Sequence, residues 1–281
     1  MADDFGHCEA LVRSADKDRY VSALYAPTQH RPALHALYAF NIEIVRIREQ
    51  AHAPLPGEIR QQWWRDVLNG VGSGQGSPVA SALTETVARY CLPVRDLVDL
   101  IEARSFDLYE DPMGTLMELE AYCEKTSSAI MRLAARILND GNELDVDMLT
   151  RHAGIAYAIA GILEALPVHV RRRQLFVPLE LLHDHGARAE DALAGSSTPA
   201  LGAALAAMRR VALRHLERAR PLIASIPPAL VPAVLPAALV RPVLMRMERR
   251  GYDPFAPRPL PQWRRQWLLL RAARNLLRIA E

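Results

Sequence analysis

Lysine is almost missing from this sequence: Lys17 and Lys125 are the only two, and arginine carries the rest of the positive charge. Opposite charges nearly cancel, with 34 Lys and Arg against 32 Asp and Glu and a formal net charge of +2. That balance excludes a whole-molecule attraction to polyanions, so nucleic acid is not an expected partner. Cysteine is scarce too. Cys8, Cys91 and Cys123 lie far apart and form no CxxC, which argues against a disulfide framework or a cysteine zinc site and for a reducing compartment. The opening "MADDFGHCEA" has no apolar run behind a basic start, so neither a secretory nor a transit peptide is expected, and the cytoplasm is the expected location.

Other absences concern structure. No run alternates polar and apolar residues with a period of two, which leaves no strand to predict. Residues 221–240 are uncharged and long enough to span a bilayer, but Pro227, Pro228, Pro232 and Pro236 would break a lone helix repeatedly. A buried helix pair or an apolar connecting segment is expected there. The glycine-rich "GVGSGQGSP" (70–78) lacks the Lys-Ser/Thr of a phosphate-binding loop and reads as a flexible connector. His152, His169, His183 and His185 have no zinc-like spacing with acids, so no metal is assigned to them.

What is present is helical periodicity. Half of the residues are hydrophobic and mean hydropathy is near zero, enough for a sizeable core in a chain of 281 residues. Apolar spacing predicts helices over 8–25, 31–51, 57–69, 79–90, 94–108, 115–138, 146–166, 199–223, 229–250 and 261–279. Thr115 with Glu118 forms a capping box, and Pro199 after Thr198 is a first-turn proline behind its cap. The expectation is a single all-α domain over residues 1–281, with long antiparallel helices.

Three segments carry more than periodicity. They are "APTQHRPALHALYAFNIEIVRIRE" (26–49), "LEAYCEKTSSAIMRLAARIL" (119–138) and "GIAYAIAGILEALPVHVRRRQLFVPLELL" (154–182). Together, in this order and spacing, they resemble the squalene/phytoene synthase family. The resemblance implies an isoprenoid-synthase-like fold, with helices enclosing a deep apolar cavity. The helices at 31–51, 115–138 and 146–166 are expected to line it.

The family's chemistry uses two acidic motifs facing each other across the cavity. Carboxylates one helical turn apart hold Mg²⁺, which neutralises the departing diphosphate. By the resemblance, the first motif falls on Val45, Arg46, Ile47, Arg48 and Glu49, where only Glu49 is acidic. The second falls on Gly161 to His169: Gly161 takes the place of Asn, Glu164 of Arg, Ala165 of the first Asp, and Val168 and His169 of the last two acids. No catalytic residue, metal or cofactor is therefore assigned. The competing expectation is a divergent Mg²⁺-dependent prenyltransferase of the head-to-head type, with Glu43, Glu49 and Glu164 as ligands. Glu43, Arg46 and Glu49 recur every third residue with alternating sign, which reads more simply as a salt-paired stripe.

Within the family, "ALYAFNIEIVRIRE" with "RRRQLFVP" resembles a divergent branch that includes a mitochondrial respiratory complex I assembly factor. Asn41, Glu43, the "QWW" of Gln62 to Trp64, and Thr126 to Ser128 are shared features. The branch implies a protein partner among complex I subunits or assembly factors, and a pseudoenzyme. A third expectation is an isoprenoid or lipid carrier using the inherited cavity. Candidate cavity or binding residues are Tyr38, Asn41, Glu43, Tyr122, Ser127, Ser128 and Arg171 to Arg173. Trp63 and Trp64 read as core before cavity wall. The basic amphipathic stretch 263–280 sets Arg264, Arg271, Arg274 and Arg278 on one side and Leu269, Leu276 and Ala280 on another. It is expected to close the domain with a solvated arginine face, with peripheral contact at the inner membrane as the alternative.

Overall fold

A computed structural model describes residues 2–51, 53–275 and 279. Among the described residues every regular element is helical and no strand forms. Leu276, Arg278 and Ala280, assigned above to the C-terminal stripe, lie outside the described residues. The all-α expectation holds, and most helix boundaries agree with the apolar spacing.

The departures have local causes. The stretch 8–25 is two helices, Ala2–Ala15 and Lys17–Leu24. They part at Asp16, whose carboxylate caps the second by accepting from the Arg19 N–H at 3.0 Å. Side-chain capping of a free helix terminus competes here with continuation of the first helix. The stretch 115–138 runs as Leu116–Cys123, a π-helical turn at Glu124–Ser128, then Ala129–Leu138. Its start is the expected capping box: Glu118 N–H donates to Thr115, and Thr115 N–H to the Glu118 carboxylate. Thr198 likewise caps Pro199–Ile223. Three short helices at Leu166–Arg171, Leu179–Asp184 and Ala189–Leu193 have too few turns to show a period, and the sequence did not reveal them.

The proline-rich segment breaks as expected, into Pro228–Leu230, Val231–Val234, Leu235–Leu239 and Val240–Met247. By length and composition Pro228–Met247 could cross a bilayer, yet 72% of its apolar window is buried inside the protein. It is core. Residues 70–77 form an irregular connector in which Gly70 and Gly76 adopt φ of +71° and +85°, and Pro78 opens the next helix.

Two apolar clusters meet along Ala129–Leu138. Met131 points into one, built on Asp147–Glu164 and Pro199–Ile223, while Ile130 and Leu133 point into the other, built on Arg31–Gln50. This helix buries all of its circumference except one stripe, Arg132 and Arg136, which stays half-buried. Gly154 makes the crossing of Asp147–Glu164 with the π turn close: a Cβ there would stand 2.4 Å from Ser128 Cα. Trp64 is fully buried against Phe40, with ring centroids 5.1 Å apart, while Trp63 is only partly covered.

Candidate functional site

Between these helices lies a cavity of about 510 Å³. Arg31–Gln50 contributes Asn41, Ile42, Val45, Arg46 and Glu49, one helix face repeating every three or four residues. Leu116–Cys123 contributes Tyr122, the π turn Thr126 and Ser127, and Asp147–Glu164 contributes Tyr157, Gly161 and Glu164. The three helices expected to line the cavity do so. Leu239, Val240 and Val243 from the proline-rich segment add apolar wall, and Phe176 and His169 add one edge.

Of the sequence candidates, Asn41, Val45, Arg46, Glu49, Tyr122, Ser127, Gly161, Glu164, Ala165 and His169 reach this space. The others do not. Tyr38 is core, with the Arg19 guanidinium 5.8 Å from its ring centroid. Glu43 turns away to Arg60, 3.3 Å distant. Ser128 is consumed at the helix crossing, its hydroxyl donating to the Arg151 carbonyl at 3.0 Å. Val168 is partly buried outside the cavity lining. Arg172 binds Glu49 at 3.0 Å, Arg173 binds Glu110 at 2.9 Å, and Arg171 alone of the three stays exposed without an ion pair among the described residues. The two acids of the stripe Glu43–Arg46–Glu49 are therefore paired outward to other elements and not along the stripe. Arg46 has no ion-pair partner among the described residues, so the cavity keeps one free guanidinium.

The acids that line the cavity are Asp16, Glu49 and Glu164, and each already faces an arginine. Asp16 holds Arg19 at 2.7 Å, Glu49 holds Arg172 at 3.0 Å and Glu164 holds Arg265 at 3.4 Å. Arg265 also forks onto both carboxylate oxygens of Asp18. Burial pushes Glu164 up, and Arg265 opposes it. Among the described residues no three His, Cys, Asp or Glu side chains gather in a way that could hold a metal ion.

At the other end, Tyr122 bridges an ion pair. Its hydroxyl accepts from Arg104 at 2.6 Å and donates to Asp107 at 2.8 Å, and Arg104 meets Asp107 at 3.0 Å. Phe176 stacks obliquely between Tyr122 and His169, with centroids 5.5 and 4.6 Å away. Burial, then Arg172 and Arg104, push His169 down to about 4, so the ring is neutral near pH 7. Its Nδ1 and the Ser127 Oγ are both buried without a hydrogen-bond partner.

Sequence reasoning overlooked Asp16, Arg19, Arg104, Tyr157 and Arg265. Asp16 and Arg19 carry a cap-and-pair spacing of three that could have been read. Arg265 could not, because nothing in "WRRQW" marks one of its two adjacent arginines as the one that turns inward.

The profile of the squalene/phytoene synthase family matches residues 12–271. The chain belongs to that family. Among curated relatives, NADH dehydrogenase (ubiquinone) complex I, assembly factor 6 of Bos taurus is 30% identical over 253 residues, covering 89% of this chain and 76% of that protein. The phytoene synthase of Thermus thermophilus is 27% identical over 288 residues, covering 97% and 93%. Of solved structures, a dehydrosqualene synthase in complex with ligand superposes with a TM-score of 0.84 at 17% identity, over 98% of this chain and 97% of that one. The shared fold follows from these. The family's relatives carry both kinds of name, synthase and assembly factor, so the choice between them falls to the cavity's own chemistry.

Proposed function

We propose that this member of the squalene/phytoene synthase family is non-catalytic and acts by association, as an assembly or binding factor for respiratory complex I. The observation that carries the reading is the pairing of every acid in the cavity wall with an arginine. Mg²⁺ requires about six oxygen ligands at close range and dehydrates reluctantly. Asp16, Glu49 and Glu164 stand on different elements, each neutralised by its own guanidinium, and Arg46 adds an uncompensated positive charge. These residues do not fit a Mg²⁺ cluster, and Glu43, the remaining ligand of the prenyltransferase reading, is held outside by Arg60. The names of the relatives in Bos taurus and Homo sapiens, complex I assembly factor 6, supply the partner class: complex I subunits or other assembly factors. In this reading the protein is one domain, needs no cofactor, and works on the cytoplasmic side, at the periphery of the inner membrane.

A strain lacking the gene should have less assembled complex I, with carotenoid, squalene and hopanoid levels unchanged. Normal complex I with a lost isoprenoid would overturn the proposal. In vitro, release of pyrophosphate from farnesyl or geranylgeranyl diphosphate with Mg²⁺ would do the same. Val45→Asp alone should leave the protein inert, because the opposite wall offers only Glu164, bound by Arg265. A second reading, that the cavity holds an isoprenoid or lipid without reacting it, is favoured by one feature: Leu239, Val240, Val243 and Phe176 give the otherwise charged cavity an apolar stretch of wall that the ion pairs do not use.

A further inference from the structure

The helix Gln262–Arg274 has two unlike sides. Leu269 and Ala272 are buried, and Arg265 turns inward to Asp18, Glu164 and the cavity. On the outer side Trp263 is 69% exposed and Trp267 47% exposed, one turn apart. Leu270, half-buried, and the exposed Arg271 and Arg274 continue the same face. No Asp or Glu occurs between Gln262 and Arg274. Two large indoles left in water on one face need an explanation, because a tryptophan usually buries most of its surface in the core or at an interface.

The neighbouring helix extends the patch. Arg265 ties the start of Lys17–Leu24 to this helix through Asp18, and Leu24 and Tyr25 are exposed at its other end. The helices Lys17–Leu24 and Gln262–Arg274 pack against each other, and the charge of Arg274 acts on the Tyr25 phenol, opposing the rise that burial causes. Arg31 closes that corner, donating to the carbonyls of Leu24 and Ala26 at 2.8 and 2.9 Å. Arg271 lies over the Trp267 ring, 4.3 Å from its centroid. Indoles, a phenol and leucines therefore stand with guanidiniums on the outer side of this helix pair, and Asp18, the acid on the Lys17–Leu24 helix, is consumed by Arg265.

We propose that this face, built on Trp263, Trp267, Leu24 and Tyr25 and ringed by Arg271 and Arg274, is a docking surface for an anionic lipid bilayer. The charge is complementary to acidic headgroups, and the side chains are those that suit the boundary between headgroup and acyl chain. Indole and phenol place an apolar body inward with a polar edge toward water, and arginine reaches back to phosphate. The surface is the outward side of a helix and not a groove, so it offers a partner helix no seat, whereas a bilayer needs none. The face opposite to it lines the cavity, so docking would set the cavity wall that carries Arg265 directly above the lipid.

The test uses the full chain and vesicles of phosphatidylcholine, with or without one part in three of phosphatidylglycerol. Cosedimentation should be at least about tenfold stronger on the anionic vesicles, given the attraction expected from two or three arginines near such a surface, and should weaken with salt. Tryptophan emission should shift to shorter wavelength on binding. The double variant Trp263→Ser, Trp267→Ser should lose the shift and at least about tenfold in binding, while Trp63 and Trp64 remain as an internal reference. Both positions are exposed, so circular dichroism and melting temperature should not change. Arg271→Glu with Arg274→Glu keeps the indoles and should abolish the preference for anionic vesicles. Absence of binding to anionic vesicles, equal binding to both compositions, or double variants that bind like the parent would each overturn the proposal. The docking surface rests on the membrane-peripheral placement proposed above, but vesicle binding is read apart from the complex I phenotype, so the lipid surface and the assembly role can each fail without the other.

Discussion

At one end of the cavity the ion pairs are all sunk into the protein, whereas at the other, besides the buried Arg104–Asp107 pair, Glu49 and Arg172 meet near the rim. Asp16 with Arg19 and Asp18 with Arg265 keep only 10–16% of their side-chain surface exposed, whereas Glu49 and Arg172 keep 43% and 34%. The charge pattern is the same, an acid matched to an arginine, but the energetics are not. Deep charges have been stripped of water and depend on each other, so removing one leaves its partner stranded. Charges at the rim exchange a protein partner for water at little cost. The buried end is thus a structural clasp, and any exchange of partner or ligand belongs to the rim, where Arg46 and Arg172 stand beside Glu49.

The largest expected effect comes from the buried end. Arg265→Ala removes the guanidinium shared by Asp18 and Glu164 and leaves two mostly buried carboxylates without their cation. Breaking such a pair costs about 3–5 kcal/mol. Chemical denaturation should show that loss as a fall in midpoint with an unchanged slope. A variant as stable as the parent would mean that the deep end is hydrated and the contrast between the two ends is false.

Acid should act next, at the rim of the cavity and in the core away from it. Burial, followed by the charges of Arg172 and Arg104, lowers His169 from 6.5 to about 4 at the rim. Burial, then His215, Arg218 and Arg151, lowers His152 to about 4 in the core, with Glu120 opposing; its Nδ1 meets His215 Nδ1 at 3.0 Å and His215 Nε2 meets Glu120 at 3.3 Å. A histidine depressed in the folded state binds its proton more readily when unfolded. Its contribution is present above the unfolded value and is lost as pH falls through the folded one. The melting temperature should therefore decline between about pH 6.5 and pH 4, and replacing His152 with Gln should flatten the decline more than replacing His169, which can reach cavity water. Equal flattening by the two variants would erase the distinction between core and rim.

The sequence made the helices legible because burying one face of each imposes a three-to-four residue repeat, and it made the family legible because three such repeats carry particular side chains. Which residues reach the cavity was only partly legible. Asn41, Val45 and Glu49 follow from one helix face, since four-residue steps keep them aligned. Ser127 depends on a π turn that no propensity announces, and Arg265 comes from 247 residues beyond its partner Asp18. Tyr38 and Glu43 were misplaced for a related reason: helical phase says which residues share a side, but not which side faces the cavity. Tertiary context supplies that choice.

A smaller effect sharpens the description of the rim's floor. Tyr122→Phe keeps the ring between Phe106 and Phe176 but deletes the hydroxyl that bridges Arg104 and Asp107. The direct contact between Arg104 and Asp107 survives, so only the bridging hydrogen bonds are lost. The cost should be about 1–3 kcal/mol, the range for leaving buried partners unsatisfied. A double-mutant cycle with Asp107→Asn measures the coupling, and additive effects would show that the bridge is not a unit.

The smallest effect is expected at Arg172→Ala. Its partner Glu49 is more than one-third exposed and Arg172 close to it, so solvent screens the pair and stability should change by no more than about 1 kcal/mol. The informative readout is what Glu49 does once released. With Arg172 gone, Glu49 is the one cavity acid without a guanidinium, and Asp16 and Glu164 remain bound to theirs. One carboxylate beside the positive charge of Arg46 is too little for a hard divalent cation. Titration of this variant with Mg²⁺ should therefore release no more heat than the parent. Mg²⁺ binding that emerges on this single change would show that the rim retains a latent metal site masked by one arginine, and the two ends of the cavity would then differ in function as well as in depth.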